Sequence, residues 1–343
     1  MMRLPFFAWR APKTLAEATK ILAGEGPQAM LIAGGTDLIP NMKRRHQSPK
    51  TLISLRGVKE LKKRNGTLGS GLTLSELVHD GAIRENYRGL WQAAAQVATV
   101  HLRNMGTLGG NLCLDTRCTY YNQNHEWRKA IDFCLKKDGD ICWVATASKR
   151  CVAVSSTDTA PALIALGAKV KLVSVQGERE VPLNALYNND GIDYLTRRAD
   201  EILTEVVIPS GWTSSYWKLR RRGAFDFPVL GVAAAVRLSK DGTVEEARIA
   251  LGAAASRPFL VEKGGEFLQG KKLTDEAIAA AGALVASRAK PMDNTDLDLY
   301  WRKDVVSNFV GYALREVRGD DVREARLRIA RQDLGGTFTS DVP

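Results

Sequence analysis

Four of the chain's five cysteines fall in one stretch, RCTYYNQNHEWRKAIDFCLKKDGDICWVATASKRC, from Arg117 to Cys151. It interrupts sequence that otherwise reads as ordinary helix and strand: TLGGNLCLDT precedes it, and VAVSSTDTAPALIALGA follows. This stretch is therefore an insertion of about residues 115–152 in an existing scaffold. Cys118, Cys134, Cys142 and Cys151 are separated by 15, 7 and 8 residues. Structural zinc favours two close C-x₂₋₄-C pairs, and this spacing contains none. Four thiolates on one long loop can instead surround an iron–sulfur cluster. From spacing alone a cluster, a zinc ion and unligated thiols all stay open. Disulfides are disfavoured, because the N-terminus MMRLPFFAWRAPKTLAEATK has no secretory pattern and the expected compartment is the reducing cytosol.

The scaffold itself is built from paired signals. TLAEATKILA (14–23) has helical apolar spacing behind a capping Thr. AMLIAGGTDL reads as a buried strand, a Gly-Gly turn and a polar cap residue, and TLISL (51–55) as a second strand. TLSELV from Thr73 has capping-box spacing, and helical sequence runs through LWQAAAQVA (90–98). After the insertion come a helix and strand in DTAPALIALGAKVKLVSV and a strand in DEILTEVVIPSG. A strand–turn–strand passage is centred on Asp241-Gly242. TDEAIAAAGALVASRA and DLYWRKDVVSNFVGYALREV are late amphipathic helices, and the charged tail from about Gly319 is expected to be loosely held. No apolar run approaches the roughly 18 residues of a membrane span.

Two turns carry the chemistry. In AGGTDL (33–38) and TLGGNL (107–112) a Gly pair lies beside a Thr. Glycine lets backbone N–H groups approach an anion and tolerates positive φ. Neither turn is a Rossmann or P-loop sequence, yet two such turns suit a dinucleotide held between subdomains. The net charge of +11 is concentrated partly in Lys43–Arg64. A solvated face or a protein-docking surface accounts for it, and no signature of nucleic-acid binding accompanies it. The histidines His46, His79, His101 and His125 share no metal spacing. Trp127 and Trp143 are expected to cover the cysteine site or pack its loop.

The segments LIAGGTDL, RNMGTLGGN, STDTAPALIALGA, DEILTEVVIP and KLRRRGAFDFPVLGVAAAVR resemble the FAD-binding subunits of molybdenum hydroxylases, the xanthine dehydrogenase and CO dehydrogenase family. The resemblance covers about residues 3–320. It implies an α+β fold: a two-subdomain, PCMH-type FAD-binding domain followed by an α+β domain of the CO dehydrogenase flavoprotein type. The expected boundaries are 1–57, 58–212 with the insertion, 213–320, and a tail at 321–343. It also implies flavin contacts at Leu31, Ile32, Ala33, Gly34, Gly35, Thr36, Asp37 and Leu38, with Asp37 left without a role because a carboxylate will not face phosphate. Further contacts are implied at Val97, Thr107, Gly109, Gly110, Asn111, Asp158, Leu203 and Lys218. For Leu203 a plain core position, and for Lys218 a solvated basic run with Arg220–Arg222, are the competing readings.

The insertion resembles that of the 4-hydroxybenzoyl-CoA reductase branch, where it holds an extra [4Fe–4S] cluster. On that resemblance Cys118, Cys134, Cys142 and Cys151 are the ligands and Cys113 is not. The branch implies a molybdenum–pterin catalytic subunit, a [2Fe–2S] subunit, a dimer of heterotrimers and an acidic ferredoxin as electron donor. Lys136, Lys137, Lys149 and Arg150 are expected to form the basic surface that meets it. The alternatives are a flavin subunit acting on another aromatic or N-heterocycle, and a flavin-free docking protein with a structural zinc loop.

Overall fold

The computed structural model describes residues 3–223 and 225–331. Its strands form three sheets in succession along the chain. The first holds β1 (Ala8–Arg10), β2 (Ala29–Ile32) and β3 (Thr51–Ser54), all parallel, with β3 in the middle. All four residues of β3 are buried, as expected of a parallel strand covered on both faces. The helix Leu15–Glu25 begins where Thr14 accepts a hydrogen bond from the Glu17 amide. Its Ala18 and Leu22 pack on Ile53, Val58 and Leu61.

The second sheet is antiparallel, in the order β4 (Leu68–Gly69), β7 (Ile202–Val207), β5 (Lys169–Ser174), β6 (Gly177–Pro182). Val170 and Leu172 on β5 alternate with more exposed lysines, so one face meets the core. Against that core lies the helix Thr159–Ala165, buried at every position.

The third sheet is antiparallel: β11 (Phe259–Leu260), β10 (Val244–Gly252), β9 (Leu230–Leu238), β8 (Thr213–Leu219). Its two faces serve different cores. Tyr216, Ala233, Ala235 and Ala250 point to the middle core, while Trp217, Val232, Ala234, Val236, Ile249 and Leu251 face the helices Asp275–Arg288 and Val306–Arg318. Period-2 alternation with alanine on one side brings the C-terminal sheet close to the helices Arg88–Ala95 and Thr159–Ala165. The chain therefore has the expected α+β character.

The insertion leaves the scaffold through a two-bond gate. Arg117 N–H donates to the Val154 carbonyl at 2.8 Å, and Val154 N–H returns the bond at 2.7 Å. Inside it only His125–Ala130 is helical, and Asp132, Phe133 and Asp138 adopt positive φ.

Two expectations change. The last long helix breaks at Val305 into Leu299–Asp304 and Val306–Arg318. The tail was expected to be loose from about Gly319, yet Arg323–Arg331 is helical, with Val322, Ala325 and Ile329 packed on the C-terminal core. The apolar spacing of VREARLRI supports that contact despite its charge. Tail residues 332–343 lie outside the described residues. Among the described residues no helix is long and apolar enough to cross a membrane.

Candidate functional site

The first Gly turn follows β2 directly. Gly35 sits at φ +72°, a conformation that costs other residues strain. Gly34 is tighter still, since a Cβ there would lie 1.9 Å from the Met105 carbonyl oxygen. In the second turn Thr107 caps the short helix Leu108–Leu112, its Oγ1 accepting from the Gly110 amide at 3.1 Å. Gly109 rests on Ser70, where a Cβ would come within 2.7 Å of the serine Cβ. The two loops thus touch backbone to backbone at Gly34 and Met105, and together they line one cavity of about 850 Å³. That is within the size range of a cofactor cleft.

Residues 31–38, Val97, Thr107, Gly109–Asn111, Asp158 and Leu203 border this cavity. Leu203 also belongs to the middle hydrophobic core. Asn111 points its Oδ1 at the loop after the insertion, accepting from the hydroxyls of Thr157 and Thr159 at 2.9 and 2.6 Å and from the Thr159 amide. It thereby positions Asp158.

Lys218 stands behind the wall. It is buried, not solvated, and its Nζ donates to Asp158 Oδ2 at 2.9 Å and to the Gln96 carbonyl at 3.0 Å. Tyr216 donates its hydroxyl to the other Asp158 oxygen at 2.7 Å. Burial opposes both charges, pushing the Asp158 carboxyl up and the Lys218 ammonium down. The direct contact and its two flanking hydrogen bonds offset that burial only in part.

Asp37 acquires a partner that the sequence did not reveal. Its carboxylate pairs with Arg117, the residue before the first insertion cysteine. Arg117 also donates to Asn41 Oδ1 at 2.9 Å and lies over the Phe227 ring at 4.9 Å. Burial lowers the Arg117 guanidinium to about 10, so it remains charged at neutral pH. The pair ties the helix after the first Gly turn to the root of the insertion. It also neutralises a carboxylate next to the candidate phosphate site. A basic residue directly preceding Cys118 was the available signal, but its partner is remote in sequence.

The four insertion cysteines are buried and line a single small void with Tyr120, Tyr121, Leu135, Lys136, Trp143, Val144 and Ala153. Cys113 borders the larger cavity instead. Burial pushes the Cys118 thiol up and the Cys151 thiol to about 12. Among the described residues no group of three or more His, Cys, Asp or Glu is placed to hold one metal ion.

Trp127 and Trp143 are both more than a third exposed. Trp143 borders the void and donates its indole N–H to the Phe133 carbonyl, whereas Trp127 packs near Tyr120. His125 is on the exposed helix, while His46 is buried and stacked on Tyr121 at 4.1 Å.

The expected basic surface needs correction at Lys136. That side chain is 6% exposed and paired with Asp115, so it cannot meet a partner; Lys137 and Arg150 remain more exposed. In the Lys43–Arg64 patch, Lys62, Lys63 and Arg64 are engaged with Glu76, Glu205 and Asp80.

Residues 5–211 match the family model for the FAD binding domain in molybdopterin dehydrogenase, and 214–317 match the CO dehydrogenase flavoprotein C-terminal domain. The chain belongs to this family. It is 30% identical over 306 residues to the aldehyde oxidoreductase FAD-binding subunit of Escherichia coli, covering 84% of this chain and 92% of that one. It is 28% identical over 311 residues to the nicotinate dehydrogenase FAD-subunit of Eubacterium barkeri, covering 88% and 92%. Carbon monoxide dehydrogenase from Hydrogenophaga pseudoflava superposes with a TM-score of 0.74 at 26% identity, covering 92% and 98%. This FAD-binding subunit is thus an oxidoreductase component that transfers electrons through its flavin. The cavity suits FAD: two abutting turns leave no room for Cβ atoms, and a buried acid–lysine pair lies at one wall.

Proposed function

We propose that this subunit serves a reductive molybdenum enzyme of the 4-hydroxybenzoyl-CoA reductase type. In this reading the flavin lies against the two Gly turns, and Cys118, Cys134, Cys142 and Cys151 hold a [4Fe–4S] cluster. FAD exchanges electrons singly or in pairs, so it can join one-electron centres to a two-electron reaction. The chain's own part is to hold the two groups at fixed separation and exclude water between them. A partner subunit with molybdenum–pterin would bind the substrate and release its phenolic hydroxyl as water, and a [2Fe–2S] subunit would connect the two. An acidic ferredoxin would supply electrons at the insertion, whose outer face carries Lys137, Lys149 and Arg150.

The observation that carries the reading is the gathering of four distant cysteines around one void beside the flavin cavity. The test is the anaerobically purified complex assayed with 4-hydroxybenzoyl-CoA and reduced viologen. Formation of benzoyl-CoA, with two electrons and two protons consumed and water released, is the expected result. A complex inert to that thioester but active in oxidising an N-heterocycle would assign the subunit to another molybdenum hydroxylase.

A further inference from the structure

Lys136 occupies the wall between the two sites. It borders the four-cysteine void, while Asp115 and Tyr194, which surround its ammonium, border the flavin cavity. Its Nζ donates to Asp115 Oδ1 at 2.8 Å, to Thr116 Oγ1 at 2.7 Å and to the Gly191 carbonyl. All three donors of the ammonium are thereby used. The rings of Tyr121 and Tyr194 lie 4.8 and 5.5 Å from it. Gly191 in turn is pressed on the cysteine side: a Cβ there would lie 2.6 Å from Cys151 Sγ, and its N–H donates to the Cys151 carbonyl at 2.8 Å.

The pair joins the two linings. Gly191, which the ammonium meets, backs onto Cys151. The second Asp115 oxygen accepts from the Tyr121 hydroxyl at 3.1 Å and from Gln47 Nε2 at 3.2 Å; Tyr121 borders the cysteine void and Gln47 the flavin cavity. Both side chains are 6% exposed, so solvent screens this dipole little.

We infer that Lys136 and Asp115 form a buried charge pair that sets the redox balance between the cysteine site and the flavin, as positioning residues that touch neither group's reacting atoms. This inference rests on the cluster reading above. Cluster potentials follow net charge, hydrogen bonding and solvent exposure. A buried cation beside the thiolates favours the reduced cluster, which carries one more negative charge. The carboxylate opposes that effect.

Opposite signs make the test specific. In the full chain purified anaerobically, cluster reduction is followed by EPR against a series of mediators. Lys136→Met removes the cation and leaves Asp115 unbalanced, so the reduced-to-oxidised ratio at a fixed potential should fall about tenfold, equivalent to 59 mV for one electron. Asp115→Asn should raise the ratio, with iron, sulfide and FAD contents unchanged. Shifts of the same sign, or none beyond twofold, overturn the inference while leaving the cluster in place. If Lys136→Met does not retain the cluster, Asp115→Asn decides: an upward shift supports the charge pair and an unchanged ratio overturns it. A wild-type chain without iron and sulfide would sink the cluster reading first, and this inference with it.

Discussion

Replacing Gly34 with alanine would place a methyl carbon 1.9 Å from the Met105 carbonyl oxygen and 2.4 Å from its carbonyl carbon. Ordinary contact begins near 3.4 Å, so the loops would have to part by about 1.5 Å, the difference between the two distances. Both obstructing atoms are backbone, and no rotamer change can relieve them. Overpacking of this kind costs about 1–3 kcal/mol. Because the strain falls on the spacing of the two loops that line the cavity, 2–3 kcal/mol of it corresponds to roughly 30- to 140-fold weaker FAD binding. The assay is titration of flavin-stripped protein with FAD, followed by quenching of flavin fluorescence, with the melting temperature recorded in parallel. Gly24→Ala is the control, since nothing lies within 4 Å of its Cβ position. Wild-type FAD affinity in Gly34→Ala would show that the two loops do not jointly grip the dinucleotide.

Three further outcomes are expected. Cys134→Ser should lose iron and keep FAD, measured by metal and flavin content, because none of the four insertion cysteines borders the flavin cavity; loss of both from a folded chain would make insertion and flavin site one unit. Arg117→Met strands the Asp37 carboxylate beside the candidate phosphate turn, and breaking such a pair costs about 3 kcal/mol. Flavin content should drop in that variant and recover when Asp37→Asn is added, whereas equal loss in the double variant would mean the carboxylate is not the obstacle. His46 is held near pKa 4, mainly by burial and next by the nearby Arg128 charge. Between pH 6.5 and 4 the unfolded chain therefore binds a proton that the folded chain refuses. Stability should be complete above pH 6.5 and fall by about 3 kcal/mol as the pH drops through that window. Denaturant midpoints from pH 7 to 4.5 should decline less steeply in His46→Gln, and parallel slopes would refute the assignment.

Local signals in the sequence carried much of this architecture. Thr14, Thr73 and Thr274 each cap the helix that follows, and Asp241-Gly242 turns β9 into β10, because caps and tight turns are decided within a few residues. The contacts that give the site its character are long-range and were not legible. Arg117 and Asp37 are eighty positions apart in sequence, and nothing local distinguishes a buried arginine from a solvated one. Lys136 misled for the same reason. Set beside Lys137 in a charged run it reads as surface, yet its ammonium is enclosed by Asp115, Thr116 and Gly191. The helix Arg323–Arg331 was hidden by its charge: Ala325 and Ile329 were too few to mark an apolar face until the C-terminal core was there to receive them.

The proposed function requires one chain to hold a flavin between two Gly turns and a cluster on four inserted cysteines. Its most direct measurement is the iron, acid-labile sulfide, zinc and FAD content of the anaerobically purified chain. The account predicts about four iron and four sulfide for each FAD, with a cluster EPR signal on reduction. FAD with a stoichiometric zinc ion, or with no metal and four free thiols, would contradict it.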